Sequence, residues 1–187
     1  MRRLFVTEFV SLDGVMEAPG GEPEYQHSGW VFDYLSDEQD QYKLQETLGS
    51  DILLLGRVTY DGFSKAWPQR SGEFADKLNS MPKYVASTTL TDPEWENTTV
   101  LEGDVPAAVA KLKEEGDETI QVAGSRTLVH TLLEHGLVDE LVLMVFPVIL
   151  GSGKRVFPET PEKTPLKLVD ARTFASGVQV QRFEPAA

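Results

Sequence analysis

Ile52-Leu53-Leu54-Leu55 is an unbroken apolar run that ends on Gly56-Arg57. A strand with one wet face alternates, whereas a strand without alternation is covered on both faces. Such cover belongs to a mainly parallel sheet whose crossovers are helices. The rest of the chain agrees. Residues 2–10, 51–55, 83–87, 119–122 and 141–148 read as strands, with a weaker one at 98–101. Ser36 and Gln39 form a capping box for a helix over 36–48, which Gly49 closes. A short helix follows Gly56, another runs behind Asp104 and Pro106 to about residue 115, and a third carries Leu128, Val129, Leu132 and Leu133 on one face before Gly136. Residues 166–174 and 178–183 flank Ala175-Ser176-Gly177 as a closing hairpin. This order predicts a single α/β domain over 1–187, with a mainly parallel mixed sheet, helices on both faces and an antiparallel C-terminal hairpin.

Composition removes several function classes. Cysteine is absent, which excludes disulfides, thiolate nucleophiles, iron–sulfur clusters and Cys-based zinc sites. His130 and His135 share a helix face poorly and no H-E-x-x-H occurs, so no metal site is expected. The net charge of −13 speaks against nucleic acid, which needs a basic face. Apolar runs are too short for a membrane span, and Glu8 and Asp13 interrupt the signal-like start, so a cytoplasmic protein is expected. Residues 15–28, rich in Gly and Pro, read as a long loop.

In open α/β sheets, ligands sit beyond the carboxyl ends of the strands. Three turns leave such ends: Gly56-Arg57-Val58-Thr59, Ser87-Thr88-Thr89 and Ala123-Gly124-Ser125. Two of them open helices, whose first free N–H groups favour anions. Glycine lets backbone approach a phosphate, hydroxyls donate to it, and Arg57 adds a fork suited to a phosphomonoester. Each turn alone is equally a plain turn; three in this order point to a dinucleotide. No G-x-G-x-x-G follows a strand.

Several stretches together resemble the dihydrofolate reductase superfamily. They are Ser11-Leu12-Asp13-Gly14, Leu54 to Tyr60, Lys83 to Leu90, Val122 to Ser125, Gly136 to Leu141 and Pro147 to Phe157. Within it the chain is most similar to the reductase domain of the bifunctional riboflavin-biosynthesis deaminase–reductase, and lacks the cysteines of the deaminase half. The resemblance implies the dihydrofolate-reductase-like three-layer fold and NADPH-dependent reduction of a small heterocyclic or sugar-derived substrate. It implies that Gly56, Arg57 and Thr59 face the cofactor phosphates, with Arg57 near the 2′-phosphate. Ser87 and Thr88 would border the adenosine, and Gly124, Ser125 and Arg126 would hold the pyrophosphate. Asp13 and Gly14 would lie beside the nicotinamide and the reducible group, with Asp13 as the catalytic candidate. The family commonly has two glycines at the third turn, often joined by a cis peptide, and here the first is Ala123. Relatives use the strand over 141–148 in a dimer interface, so a homodimer is expected.

For the substrate, Trp30 beside the long loop is a candidate roof for a ring, with core packing as the plain alternative. Gly151 and Lys154, in Gly151-Ser152-Gly153-Lys154-Arg155, are candidates to close over a phosphate-bearing substrate. Dihydrofolate reductases use a first-helix carboxylate. Asp33 and Asp37 lie in that region without matching the pattern, which leaves folate as a second reading and a nucleotide-binding domain without catalysis as a third.

Overall fold

The computed structural model describes residues 1–22 and 24–186. Eight strands form one sheet, ordered β4-β3-β2-β5-β1-β6-β8-β7. They are β1 (Arg3–Ser11), β2 (Ile52–Gly56), β3 (Lys83–Ala86), β4 (Thr98–Leu101), β5 (Thr119–Val122), β6 (Glu140–Phe146), β7 (Leu166–Thr173) and β8 (Gln179–Pro185). The first six in sequence are mutually parallel, and β8 runs antiparallel to both β6 and β7. The mainly parallel sheet with a C-terminal hairpin is therefore as expected.

Five α-helices cover it: α1 (Asp37–Leu48), α2 (Arg57–Ala66), α3 (Glu73–Ser80), α4 (Val105–Glu114) and α5 (Arg126–Glu134). Ser36 caps α1 by accepting the Gln39 N–H, and Asp37, Glu38 and Asp40 in the first turn complement the helix dipole. Asp104 caps α4 by accepting from Ala107. One helix was not legible: α3 has eight residues, starts behind Gly72 at φ 105° and buries only Ala75 and Leu78. Such a short helix takes its stability from packing, not from a periodic signal.

The apolar run at β2 explains the layering. Ile52 and Leu54 join Val109 and Leu112 of α4 and Leu128, Val129 and Leu132 of α5 on one face. Leu53 and Leu55 meet Tyr60 of α2 and Leu78 of α3 on the other. A third cluster, Phe5, Val142, Met144, Phe146 and Val180, packs under Trp30 and Val31.

One correction follows, and the loop over 15–28 is found as a loop. The strand expected to form a dimer edge, β6, is an interior strand between β1 and β8, and its apolar character is consumed within the sheet. The exposed edge is β7, all eight residues of which are exposed. The loop over 15–28 is docked onto the fold, with Val15 fully buried and Met16 nearly so. Its Pro23 lies outside the described residues.

Candidate functional site

β5 stops at Val122, while its neighbours β1 and β2 continue to Ser11 and Gly56. The first and third turns meet in the resulting gap. The Gly56 N–H donates to the Gly124 carbonyl at 3.1 Å. A Cβ on Gly56 would lie 2.8 Å from the Ser125 nitrogen, and one on Gly124, at φ 71°, would lie 2.6 Å from Thr59 Oγ1. Gly56, Thr59, Gly124 and Ser125 thus interlock, with room for glycine alone at two positions. A cis peptide bond is present, but it joins Gly124 to Ser125 rather than Ala123 to Gly124.

The second turn joins through Arg57. Its Nε donates to Asp61 Oδ1 at 2.8 Å, one turn along α2, and its Nη1 reaches Thr89 Oγ1 at 3.0 Å and Ser87 Oγ at 3.5 Å. Ser87 Oγ itself accepts from the Leu90 and Thr89 amides, and Thr88 is exposed beside them. Among the described residues, no side chain caps α2, behind Gly56, or α5, behind Ser125. The first-turn N–H groups of both helices are therefore available at the carboxyl edge.

Asp13 and Gly14 follow β1 and clamp the segment after β6. Asp13 Oδ1 accepts from Ser11 Oγ at 2.6 Å and the Leu150 N–H at 3.1 Å, and Oδ2 accepts the Gly151 N–H at 2.8 Å. Burial pushes the carboxyl up, but these donors outweigh it and hold it at about 2. The backbones zip alongside: Met16 N–H to Lys154 carbonyl, Val156 N–H to Gly14 carbonyl, and the Arg155 guanidinium to the Asp13 carbonyl.

Beside this zipper lies an open cleft of about 550 Å³, lined by Glu17, Arg126, Gly153, Lys154, Arg155 and Phe157 among others. Three cations, Arg126, Lys154 and Arg155, and two carboxylates, Glu17 and Glu159, line this cleft. Lys154 is held by Glu17, through its backbone N–H at 2.8 Å and its Nζ at 3.1 Å. Gly151 lies outside the cleft lining, with its amide on Asp13. Trp30 is not available as a substrate roof. It is 5% exposed, packs edge-on to Phe146 at 5.2 Å and donates to the Glu17 carbonyl. A large ring bordering an apolar cluster gains more from burial than from exposure. Asp33, in the 3₁₀ turn Phe32–Tyr34 ahead of α1, and Asp37, the first residue of α1, are both exposed.

The model of the RibD C-terminal domain matches residues 2–180. The chain belongs to the RibD C-terminal domain family. The uncharacterized protein YyaP of Bacillus subtilis (strain 168) is 31% identical over 183 residues, covering 95% of this chain and 92% of YyaP. A Shewanella sp. PV-4 protein named for riboflavin biosynthesis shares the fold with a TM-score of 0.77 at 21% identity, over 99% of each chain. The Thermotoga maritima diaminohydroxyphosphoribosylaminopyrimidine deaminase/5-amino-6-(5-phosphoribosylamino)uracil reductase superposes with a TM-score of 0.67 at 15% identity, over 99% of this chain and 57% of that one. The dihydrofolate-reductase-like architecture expected from the motifs is the one these RibD structures have.

Two groups at this candidate site escaped the sequence reading. Glu8, on β1, accepts the Gly124 N–H at 2.7 Å. Burial pushes its carboxyl up to about 8, against the Gly124 amide and the Lys43 ammonium, while the Glu46 carboxylate adds to the rise. Its signal was a lone acid inside an apolar strand, read only as the interruption of a signal-like start. Tyr25 donates to the Ser152 carbonyl at 2.6 Å and ties the long loop to the segment after β6. Nothing in the local sequence marks that pairing across 127 residues.

Proposed function

We propose that this RibD-family chain is an NADPH-dependent reductase acting on a small heterocyclic or sugar-derived carbonyl or imine. Family membership supports a reductase of the RibD type. The observation that carries the cofactor reading is the setting of Arg57: a guanidinium oriented by Asp61, flanked by the hydroxyls of Ser87 and Thr89, beside two helix starts without side-chain caps. A charged fork next to hydroxyl donors suits a ribose phosphate, and uncapped helix starts suit a pyrophosphate. The glycines at 56 and 124 keep backbone at the surface of the cradle where a Cβ would collide. These residues fit the group.

When bound, NADPH supplies the hydride. The chain's own part is to hold, orient and exclude water. Gly56, Thr59, Ser125 and Arg126 hold the phosphates. Gly124 shapes that turn without offering its amide, which is taken by Glu8. Ser87 and Thr88 border the adenosine, and Gly14 turns the backbone, at φ 82°, beneath the reacting region. Asp13 serves as a positioning residue: its oxygens are occupied and it stays ionised, so it fixes the substrate-side segment rather than giving up a proton. Lys154 and Arg155 draw a phosphate-bearing substrate to the open cleft. A homodimer joined through β7 completes the reading. This edge exposes Leu166, Leu168 and Val169.

The test is cofactor discrimination. Arg57→Ala removes a charge-assisted bond worth about 1.5–3 kcal/mol to the 2′-phosphate, so NADPH affinity falls roughly 10- to 150-fold while NADH affinity changes little. Titration calorimetry with both nucleotides reads this directly. Equal losses, or no binding of either nucleotide to the wild type, reject the reading.

A further inference from the structure

Val6 pairs with Val122, so Glu8, two residues on, stands level with Gly124 where β5 has ended. Its Oε1 takes the Gly124 amide, and its other strand neighbour is Leu143 of β6. The charged groups that reach it come from α1. Lys43 Nζ donates to Glu46 Oε2 and, at 2.8 Å, to Thr7 Oγ1, which itself donates to Glu46 Oε2 at 3.0 Å. The Lys43 ammonium is hydrogen-bonded to Glu46, whose Oε1 has no hydrogen-bond partner among the described residues. Glu8 is half-buried and shares this region with one further carboxyl and one ammonium, so an ionised Glu8 leaves one negative charge unbalanced beneath the turn. A neutral carboxyl still accepts the Gly124 N–H through its carbonyl oxygen. Ionisation therefore need not break the turn; it changes the charge presented behind it.

We propose that Glu8 is a positioning residue of the β5–α5 turn that couples ligand uptake to a proton: phosphate groups enter the α5 N-terminus while Glu8 is neutral and are repelled when it ionises. The inference rests on the dinucleotide reading of this turn. It makes the turn a pH-tuned anion site with its control group half-buried on β1, against the Gly124 amide. The rise of the Glu8 carboxyl to about 8 places the transition just above neutrality.

Calorimetric titration of the full chain with NADPH between pH 7 and pH 9 tests it, run in two buffers of different ionisation enthalpy. Wild-type affinity falls about tenfold across this range, with uptake of a proton on binding near pH 8.5. In Glu8→Gln, which keeps an acceptor oxygen but cannot ionise, affinity stays flat. NADPH carries its own phosphate ionisation, well below this range, so it does not mimic the effect. The second measurement needs no variant: carboxyl carbon-13 NMR of wild type, with the Glu8 resonance titrating near 8 and moving upward with NADPH present. Equal affinity at pH 7 and pH 9, an equal slope in Glu8→Gln, or a Glu8 midpoint below 6 overturns the proposal while leaving the dinucleotide reading intact. Failure of wild type to bind NADPH at every pH overturns both.

Discussion

Replacing Gly56 by alanine puts one methyl group where two turns meet. Its φ of −78° suits any residue, so backbone strain plays no part. At such a position alanine ordinarily gains about 0.4–1 kcal/mol by stiffening the unfolded chain. Here the new Cβ would lie 2.8 Å from the backbone nitrogen of Ser125, a contact that no rotation of a side chain relieves. Overpacking of this kind costs about 1–3 kcal/mol. Moving the turns apart also weakens the Gly56 N–H to Gly124 carbonyl bond, worth about 1 kcal/mol. The net is a destabilisation of about 1–3 kcal/mol, or a fall in Tm of roughly 2–12 °C for a chain of this size. Gly62, inside α2 with no atom within 4 Å of a built Cβ, is the matched control. Alanine there should stabilise by about 0.5–1 kcal/mol. Urea unfolding followed by circular dichroism compares both variants with wild type. Gly56→Ala as stable as wild type, or Gly62→Ala destabilised equally, would refute the claim that close approach of the turns dictates glycine at 56.

Lys83, fully buried, donates to the carbonyls of Leu78, Asn79 and Met81 at the end of α3, and lies 4.5 Å from the Trp95 ring centroid. Lys83→Met orphans these carbonyls and should cost about 2–4 kcal/mol in urea unfolding; a change under about 0.5 kcal/mol would show the ammonium to be dispensable. Asp13→Asn should leave NADPH affinity nearly unchanged but raise amide exchange at Leu150 and Gly151, read by NMR, and unaltered exchange would remove its clamping role. Because its folded value of about 2 lies below the ordinary 3.8, the Asp13 contribution is complete above pH 3.8 and lost as pH falls through 2, so protection of these two amides should fade in acid. Leu168→Lys should convert the dimer to monomer in sedimentation velocity, whereas a wild-type monomer at micromolar concentration would dismiss β7 as the contact.

Local chemistry made most of the strands legible. Ile52 to Leu55 announced cover on both faces, and Ser36 and Asp104 announced helix starts that the structure confirms by their hydrogen bonds. The three turns were readable as candidates because glycine, hydroxyl and arginine chemistry is written in adjacent residues. What brings them together was not readable: the end of β5 at Val122 was legible, but that β1 and β2 flank it and run on past it is a property of the sheet order. Trp30 misled because a large aromatic beside a loop serves a ring ligand and a core equally well until burial is known. The 141–148 run misled for a related reason. Apolar content says that a strand is covered, but not whether the cover is a second subunit or, as here, β8 and the body of the sheet. Glu8 was visible as an oddity whose partners lie at residues 43, 46 and 124, beyond any local window.

The place of β1 at the heart of the sheet has a cost in time. Its partners are residues 119–122 and 140–146, so the ribosome releases the first strand well over a hundred residues before either neighbour exists. At about 5–20 residues per second, Leu4-Phe5-Val6 waits on the order of 6–30 s with its edges bare. Newborn chains of this protein should accordingly lean on holding factors at the exit tunnel, and a circular permutant that begins near residue 117 should shorten that vigil.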